Sequence, residues 1–315
     1  MCEASAYRAD PPRPAVSPKL CWLLVRSLPP AAANHQPAEA VIIDCHTHLN
    51  RYTPDLPATL AERHALLRAE MDAHGVAYAL VLTSYDVTPD RPSTRDVLAA
   101  LEGDGRLGVV AGVRHAQLDA DLPELREMLQ SRRVKALKLY PGYEPFRLTD
   151  ASLRPVYHLA AEFAVPVMIH TGDTYDPGTH VRLAHPLDVD DVAVEHRDTR
   201  FVMCHVGNPW LMDAAEVLYK NPNVFGDISG FTLGEFQPRF ERLMVGKLNE
   251  LVAWVNDPGK LMFGTDWPIS GVRSYLEFVG KLDLTEEEGD GLLWRNAARV
   301  FGLDFKMRVE TADGG

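Results

Sequence analysis

Short apolar runs recur at regular intervals from Val41 onward, and stretches with helical spacing separate them. This alternation predicts βα units and a parallel sheet, because buried parallel strands are almost continuously apolar. A barrel of eight such units needs about 250 residues, which the chain from Val41 supplies in one piece. We therefore predict one (β/α)8 TIM barrel over residues 41–315. Strand one is predicted in the run VIIDCHTHLN, and the other strands at 77–83, 107–113, 136–140, 166–170, 201–205, 224–228 and 261–265.

Amphipathic stretches between the runs predict the helices of the barrel. One covers 57–74 and should end at Gly75, and another covers 292–301 after a capping box formed by Thr285 and Glu288. The stretch after strand five is predicted as a polar loop. Further helices are predicted at 93–101, 122–129, 153–163, 211–219 and 240–255. Most gaps between strands thus contain a helix, as repeated βα units require.

Residues 1–40 differ in composition from the rest of the chain. They are rich in proline and alanine and lack any periodicity, so we expect a disordered tail outside the barrel. The alternative is that the natural chain begins near Val41, which the mass of the native N-terminus would test.

Charge and composition limit the partners of this chain. The formal net charge of −12 opposes binding to nucleic acid, and no basic stripe offsets it. An apolar run of about 18 or more residues is lacking, so a membrane span is not expected. The four cysteines have no paired spacing, which favours a reducing cytoplasm. We expect a cytoplasmic protein that binds a small-molecule substrate, with a homodimer left open.

Polar residues end four of the apolar runs: His46, His48, His170, His205 and Asp266. The C-terminal strand ends of a β/α barrel meet at one mouth, where active sites of this fold lie. His46 and His48 are two residues apart and should therefore project from the same face. By the same alternation, the thiols of Cys45 and Cys204 should point away from the histidines, towards the helices. Imidazoles and a carboxylate suit a divalent ion, with Zn²⁺ as the first choice and one ion favoured over two.

The strand-end motifs also resemble those of a known family. The segments concerned are IIDCHTH, KALKLYPGY, MIHTG, MCHVGNPW, FGTDWP and LLWRNAARVFGL. They are similar to motifs of the amidohydrolase superfamily, in particular its amidohydrolase-2 branch, which includes aminocarboxymuconate semialdehyde decarboxylase-like proteins. The resemblance extends from about Val41 to Leu303 and is specific for the superfamily, but not for a substrate.

The resemblance implies roles for individual residues. His46, His48 and His170 would bind the metal, and Asp266 would complete the shell and transfer protons. His205 would either bind a second metal ion or orient the attacking water or the substrate. Lys138, on strand four, would either be carboxylated and bridge two ions or contact the substrate.

Further residues near the strand ends are candidates for substrate binding. Tyr140 and Tyr143 follow strand four, Trp267 follows Asp266, and Arg51 lies just beyond the metal histidines. A cationic group such as Arg51 or Lys138 would be required to hold a substrate carboxylate.

Three functions are compatible with these residues. The first is hydrolysis, in which metal-activated water attacks an amide, ester or lactone carbonyl. The second is decarboxylation of an unsaturated or aromatic carboxylic acid by the same metal shell. The third is a catalytically inactive barrel that serves as a binding protein.

Overall fold

The computed structural model describes residues 41–304, within which eight parallel strands pair in chain order. Backbone hydrogen bonds also join the segment after the last strand to the first, so the sheet forms a TIM barrel, as predicted. The predicted tail, residues 1–40, lies outside the described residues. The strands are β1 (Ile42–Thr47), β2 (Val76–Leu82), β3 (Leu107–Gly112), β4 (Val134–Leu139), β5 (Val167–His170), β6 (Phe201–Cys204), β7 (Val224–Asp227) and β8 (Leu261–Met262).

Helices follow the strands and form the outer layer. All seven predicted helices are present, with ends that shift by a few residues. Within residues 41–304 the α-helices are α1 (Leu60–His74), α2 (Thr94–Ala100), α3 (Leu118–Gln130), α4 (Arg154–Glu162), α5 (Leu187–Glu195), α6 (Leu211–Lys220), α7 (Pro238–Val255), α8 (Val272–Val279), α9 (Glu286–Asp290) and α10 (Asn296–Val300). None of the helices in this part of the chain has both the length and the apolar character needed to cross a membrane.

Two helices, α5 and α8, fall outside the predicted set. The stretch that contains α5 was expected to be a polar loop, but its apolar side chains Val189, Val192 and Ala193 are buried against the barrel. Both helices are short, at nine and eight residues. Two turns repeat the helical period too few times to stand out in a sequence.

Local signals at the helix ends explain the observed boundaries. Thr59 caps α1 through a capping box with Glu62, so the helix begins later than predicted, and Gly75 ends it at a φ of 69°. The capping box of Thr285 with Glu288 is confirmed. The predicted last helix is divided, because a π-helical turn at Gly291–Arg295 separates α9 from α10.

Side chains on the two faces of the strands form two apolar layers. The outer layer packs between the strands and the helices. The inner layer fills the barrel and includes Ile43, Leu80, Val110, Met168 and Val202. Side chains of α10 join this inner layer, so the last helix covers one end of the barrel. The other end, where the strands terminate, is left for polar residues.

The predicted orientation of Cys45 and Cys204 is wrong. Both thiols lie in the inner layer, on the same side as the histidines. In β1, Asp44 pairs with Ala79 and Thr47 with Val81, so β1 gains one extra residue relative to β2. This β-bulge lets the neighbouring Cys45 and His46 both face inwards. His205 lies beyond the end of β6 and has a φ of 62°, so strand alternation no longer applies after Cys204.

The barrel is joined between its first strand and the segment after β8. The backbone N–H of Asp266 donates to the His46 carbonyl oxygen at 2.8 Å, and that of His48 donates to the Trp267 carbonyl oxygen at 2.7 Å. The buried carboxylate of Asp44 strengthens this junction. It accepts hydrogen bonds from the Thr265 hydroxyl at 2.6 Å and the Thr265 backbone N–H at 3.1 Å. It also accepts one from the His46 backbone N–H at 3.1 Å.

Replacing Asp44 by Ala should lower the free energy of unfolding by about 3 kcal/mol, because three buried donors lose their acceptor. Urea unfolding with a chelator present measures this without a contribution from metal binding. Thr265→Val and the double variant complete a mutant cycle, in which we expect a coupling of about 1 kcal/mol or more. Strictly additive effects would show that the two side chains do not stabilise the junction together.

Candidate metal centre and active site

A cavity of about 320 Å³ opens among the residues that follow the strands. Six of the residues predicted at the catalytic centre line it, and they come from β1, β4, β5 and the segments after β1, β6 and β8: His46, His48, Lys138, His170, His205 and Asp266. The structure therefore brings together, in one cavity, side chains that are up to 220 residues apart in the sequence. As predicted, His46 and His48 project to the same side, with ring centroids 5.3 Å apart.

Two histidine nitrogens face one carboxylate oxygen in this cavity. Asp266 Oδ1 lies 3.1 Å from His48 Nε2 and 3.6 Å from His46 Nε2. One ligand atom from each of these buried residues lies within 4.8 Å of the others. Atoms that each approach one ion to about 2.0–2.2 Å have separations in this range. The three residues could thus hold a divalent ion.

The hydrogen bonding of this group fits a cation. Asp266 Oδ1 is buried and has no hydrogen-bond partner within residues 41–304. His48 Nδ1 donates to the Leu82 carbonyl oxygen at 2.9 Å, so neutral His48 carries its lone pair on Nε2. Burial lowers the pKa of His48, which favours this neutral form. A lone pair and a carboxylate oxygen that face each other are stabilised by a cation between them.

The charge of Asp266 is consistent with the same role. Burial alone would raise the pKa of its carboxyl, but the adjacent His48 imidazole and the charge of His46 outweigh burial and hold the pKa well below the usual range. The backbone of Asp266 has a φ of 67°, in the left-handed region that residues other than glycine seldom adopt. Such a conformation is often found at functional sites.

Asp227, the last residue of β7, supports His46 from its other side. Its Oδ2 accepts a hydrogen bond from His46 Nδ1 at 3.0 Å. Its Oδ1 accepts from the backbone N–H groups of His205 and Ser229, both at 3.1 Å. A carboxylate behind a ligand histidine fixes the ring and is a common feature of metal sites. Our sequence prediction missed Asp227, although the run VFGD ends in an acid just as the other runs end in histidine.

His205 is held as a neutral imidazole beside Asp266. Its Nδ1 donates to the Ser229 carbonyl oxygen at 3.1 Å, so its lone pair is on Nε2. Burial and the charge of His46 lower the pKa of His205 to about 4. Gly230, at a φ of 67°, packs directly on this ring. A Cβ there would lie 2.4 Å from His205 Nδ1 and 3.0 Å from Asp266 Oδ2, so only glycine permits this contact.

His170 lines the cavity but stands apart from the three clustered residues. Its Nε2 donates to the Asp173 carbonyl oxygen at 3.0 Å, which leaves the lone pair on Nδ1. Burial, followed by the charges of His205 and Lys138, keeps its pKa well below the usual value. Among the described residues, neither group of clustered ligand atoms includes His170. Its role as a metal ligand therefore stays a prediction.

Lys138 extends into the cavity from β4 and is almost fully buried. Its Nζ donates to Cys204 Sγ at 2.6 Å and lies 5.1 Å from the centroid of the Tyr140 ring. Carboxylation of Lys138 likewise stays a prediction.

The predicted substrate residues divide into two pairs. Tyr140 and Tyr143 line the cavity, and the Tyr143 ring centroid lies 4.8 Å from that of His170. Arg51 and Trp267 are not among the described residues that line it. Trp267 packs in the outer apolar layer, and the guanidinium of Arg51 donates to backbone carbonyl oxygens outside the cavity. The structure thus places neither residue at the cavity wall, and their roles in substrate binding stay predictions.

Other lining residues were not predicted at all. They include Asn50, Tyr52, Tyr85 and Arg91, which lie in the segments after β1 and β2. The apolar runs carry no signal for them, because a loop residue reaches a cavity only through the path of its backbone.

Comparison with known sequences identifies the family. The sequence pattern of the family described as Amidohydrolase matches residues 43–303. The chain belongs to this amidohydrolase family. The match covers all eight strands and every residue of the metal centre. No curated protein sequence matches the chain.

Solved structures of amidohydrolases and related enzymes share the fold at low sequence identity. A putative 2-pyrone-4,6-dicarboxylic acid hydrolase from Pseudomonas putida is 22% identical, with a TM-score of 0.61 over 85% of this chain and 99% of that one. An amidohydrolase from Burkholderia multivorans with bound zinc is 20% identical, with a TM-score of 0.59 over 84% and 99%. A 5-carboxyvanillate decarboxylase from Sphingomonas paucimobilis is 15% identical, with a TM-score of 0.60 over 84% of this chain and 99% of that one. The structural neighbours of this amidohydrolase thus include both hydrolases and decarboxylases.

Single substitutions in the cluster should abolish metal binding. In His46→Ala, His48→Ala and Asp266→Ala, we expect the bound metal to fall from about one ion per chain to less than about a tenth, because an open site needs three protein ligands. Plasma mass spectrometry of the purified variants measures this. His74→Ala, which changes a histidine on α1, is the matched control. Full occupancy in His46→Ala would contradict the assignment.

Metal binding should also release a proton. Burial lowers the pKa of His46, but the charge of Asp227 outweighs it and raises the pKa to about 10, so His46 is protonated at pH 7 without metal. A metal ion replaces that proton, and its affinity therefore rises with pH, by about tenfold per pH unit for one proton. Calorimetry at pH 7 in two buffers of different ionisation enthalpy counts the protons. The Asp227→Asn variant should release fewer protons when it binds the metal. A Zn²⁺ affinity that is constant from pH 6 to 8 would refute this prediction.

Proposed function

We propose that this amidohydrolase is a hydrolase that cleaves an ester, lactone or amide carbonyl of a small molecule with the help of one divalent ion. His46, His48 and Asp266 would hold the ion, with His170 as a further ligand and Zn²⁺ as the first choice. The hydrogen bonding around Cys204 supports a single ion. The second group of clustered ligand atoms, which adds Cys204 and Asp227 to His46, is already occupied by hydrogen bonds from Lys138, His205 and Ser229.

The position of Asp266 carries this proposal. Its Oδ1 faces the metal histidines, while its Oδ2 is turned towards Gly230, on which the His205 ring also packs. The ionised carboxylate of Asp266 and the neutral imidazole of His205 thus lie next to the two metal histidines and line the same cavity. Hydrolysis requires a group that accepts a proton from water and returns it to the leaving group. In this proposal, Asp266 would do both.

A divalent ion in this site supplies Lewis-acid chemistry, since it lowers the pKa of water and polarises a carbonyl. Asp266 would take the proton from the attacking water and deliver it to the leaving oxygen or nitrogen. His205 would accept a hydrogen bond from the water at Nε2 and so orient it. The ammonium group of Lys138 would offset the negative charge that develops on the carbonyl oxygen.

Decarboxylation is the second candidate, and the buried ammonium group of Lys138 is the observation that favours it. A cation inside the cavity could hold a substrate carboxylate near the donor set. The reaction would then release CO₂ and place a proton on carbon, and His205, whose ring centroid lies 4.9 Å from that of His46, would carry that proton.

Isotope labelling separates the two reactions. The zinc-loaded protein is screened in H₂¹⁸O with lactones, N-acyl amino acids and aromatic carboxylates. We expect one ¹⁸O atom in the acid product per turnover and no CO₂. His205→Gln should retain its metal and lower kcat by about 100-fold or more. CO₂ release without ¹⁸O in the product would replace the proposal by the lyase, and a metal-replete protein without turnover would favour a binding function.

A further inference from the structure

One lysine and one arginine line the cavity among the described residues, and they differ in exposure. Lys138 lies on β4 with a relative exposure of 1%. Arg91 lies on the segment after β2, and its side chain is 35% exposed. Lys138 therefore belongs to the interior, and Arg91 to the region where a substrate meets solvent. The carboxylates of Asp173 and Asp176 also line the cavity, and both residues are exposed.

The backbone presents Arg91 on a fixed turn. Arg91 and Thr88 exchange two backbone hydrogen bonds of 3.0 Å around Pro89 and Asp90. Proline at this position restricts φ and stabilises the turn. The Asp90 carbonyl oxygen in turn accepts a hydrogen bond from the Arg51 backbone N–H at 2.7 Å. The turn that carries Arg91 is thereby attached to the segment that follows the metal histidines.

Arg51 and Arg91 differ in the use of their guanidinium groups. Arg51 donates to the carbonyl oxygens of Leu56 at 3.0 Å and Pro54 at 2.9 Å, so it braces its own loop. The guanidinium of Arg91 donates a hydrogen bond to the Tyr85 hydroxyl and forms an ion pair with Asp86 at 3.6 Å, and the Asp86 side chain is 53% exposed. An exposed pair of this length contributes little, and another carboxylate can replace it at little cost. Arg91 is the arginine available to a ligand in the cavity.

Tyrosines form the walls between Arg91 and the metal centre. The Tyr52 ring centroid lies 5.8 Å from that of His48, and the Tyr85 centroid lies 5.1 Å from that of Tyr140. Tyr85 also stacks on Tyr143 at 6.1 Å. Aromatic walls favour a flat unsaturated ring. A volume of about 320 Å³ is small for a ligand site and suits a single ring.

We propose that Arg91 determines specificity by binding a substrate carboxylate that is not the reacting group. The substrate is then a planar single-ring compound with its reacting carbonyl at the metal centre and a carboxylate directed towards Arg91. Arg91 binds such a carboxylate through two parallel N–H donors. This inference rests on the proposed function only for the location of the reacting carbonyl.

Ligand binding to the zinc-loaded full chain tests this role of Arg91. The probes are the monoamides of the three benzenedicarboxylates, each compared with its diamide, which replaces the remaining carboxylate by a neutral group of similar shape. Calorimetry should show that at least one monoamide binds about tenfold or more tightly than its diamide. Arg91→Gln should abolish this preference without changing the affinity for the diamide, and Arg91→Lys should keep part of it. Arg95→Gln, an exposed arginine on α2, is the matched control and should keep the full preference.

The outcomes separate the specificity of Arg91 from the reaction itself. Equal affinity for every monoamide and its diamide, or no binding of any probe, would overturn the role of Arg91. So would an equal loss for both members of a pair in Arg91→Gln with an unchanged unfolding temperature. A failure of ¹⁸O incorporation would leave these binding preferences untouched. Conversely, a lost preference would leave hydrolysis of uncharged esters unaffected.

Discussion

The junction between the first strand and the segment after the last one is the constraint on which the metal centre depends. The backbone hydrogen bond from the Asp266 N–H to the His46 carbonyl oxygen sets the distance between the carboxylate and the two histidines. Asp44 holds the same junction from within through Thr265. The backbone of Asp266 has a positive φ at this junction. Its carboxylate therefore reaches the imidazoles directly from the junction.

The fold and the clustering of His46 and His48 with Asp266 could be predicted because both follow from regular patterns. The apolar runs give the strands, and the polar residues that end them give the mouth of the barrel. The errors arise where regularity stops. The β-bulge at Cys45 and the left-handed backbone of His205 reverse the expected thiol orientation, and the short helix α5 repeats its period too few times. Arg91 could not be predicted, because its place depends on a turn in a loop and not on any strand.

Apolar side chains occupy one end of the barrel interior, and polar side chains occupy the other. Residues such as Ile43 and Met168 fill one end and give the scaffold its stability. At the other end, Asp227 binds His46 and the backbone of His205, so each imidazole is oriented by groups that do not themselves face the substrate. Changes of substrate could therefore arise in the loop residues around Arg91 without disturbing this support.

The three clustered residues His46, His48 and Asp266 come together late in folding. His46 and His48 belong to the first strand, whereas Asp266 is separated from them by seven further strands and most of the chain. A growing or partly folded chain holds two imidazoles but no carboxylate opposite them. The full set exists only once the final strand has docked beside the first. Tight binding of an ion would thus require the finished ring, and a bound ion would connect its two ends.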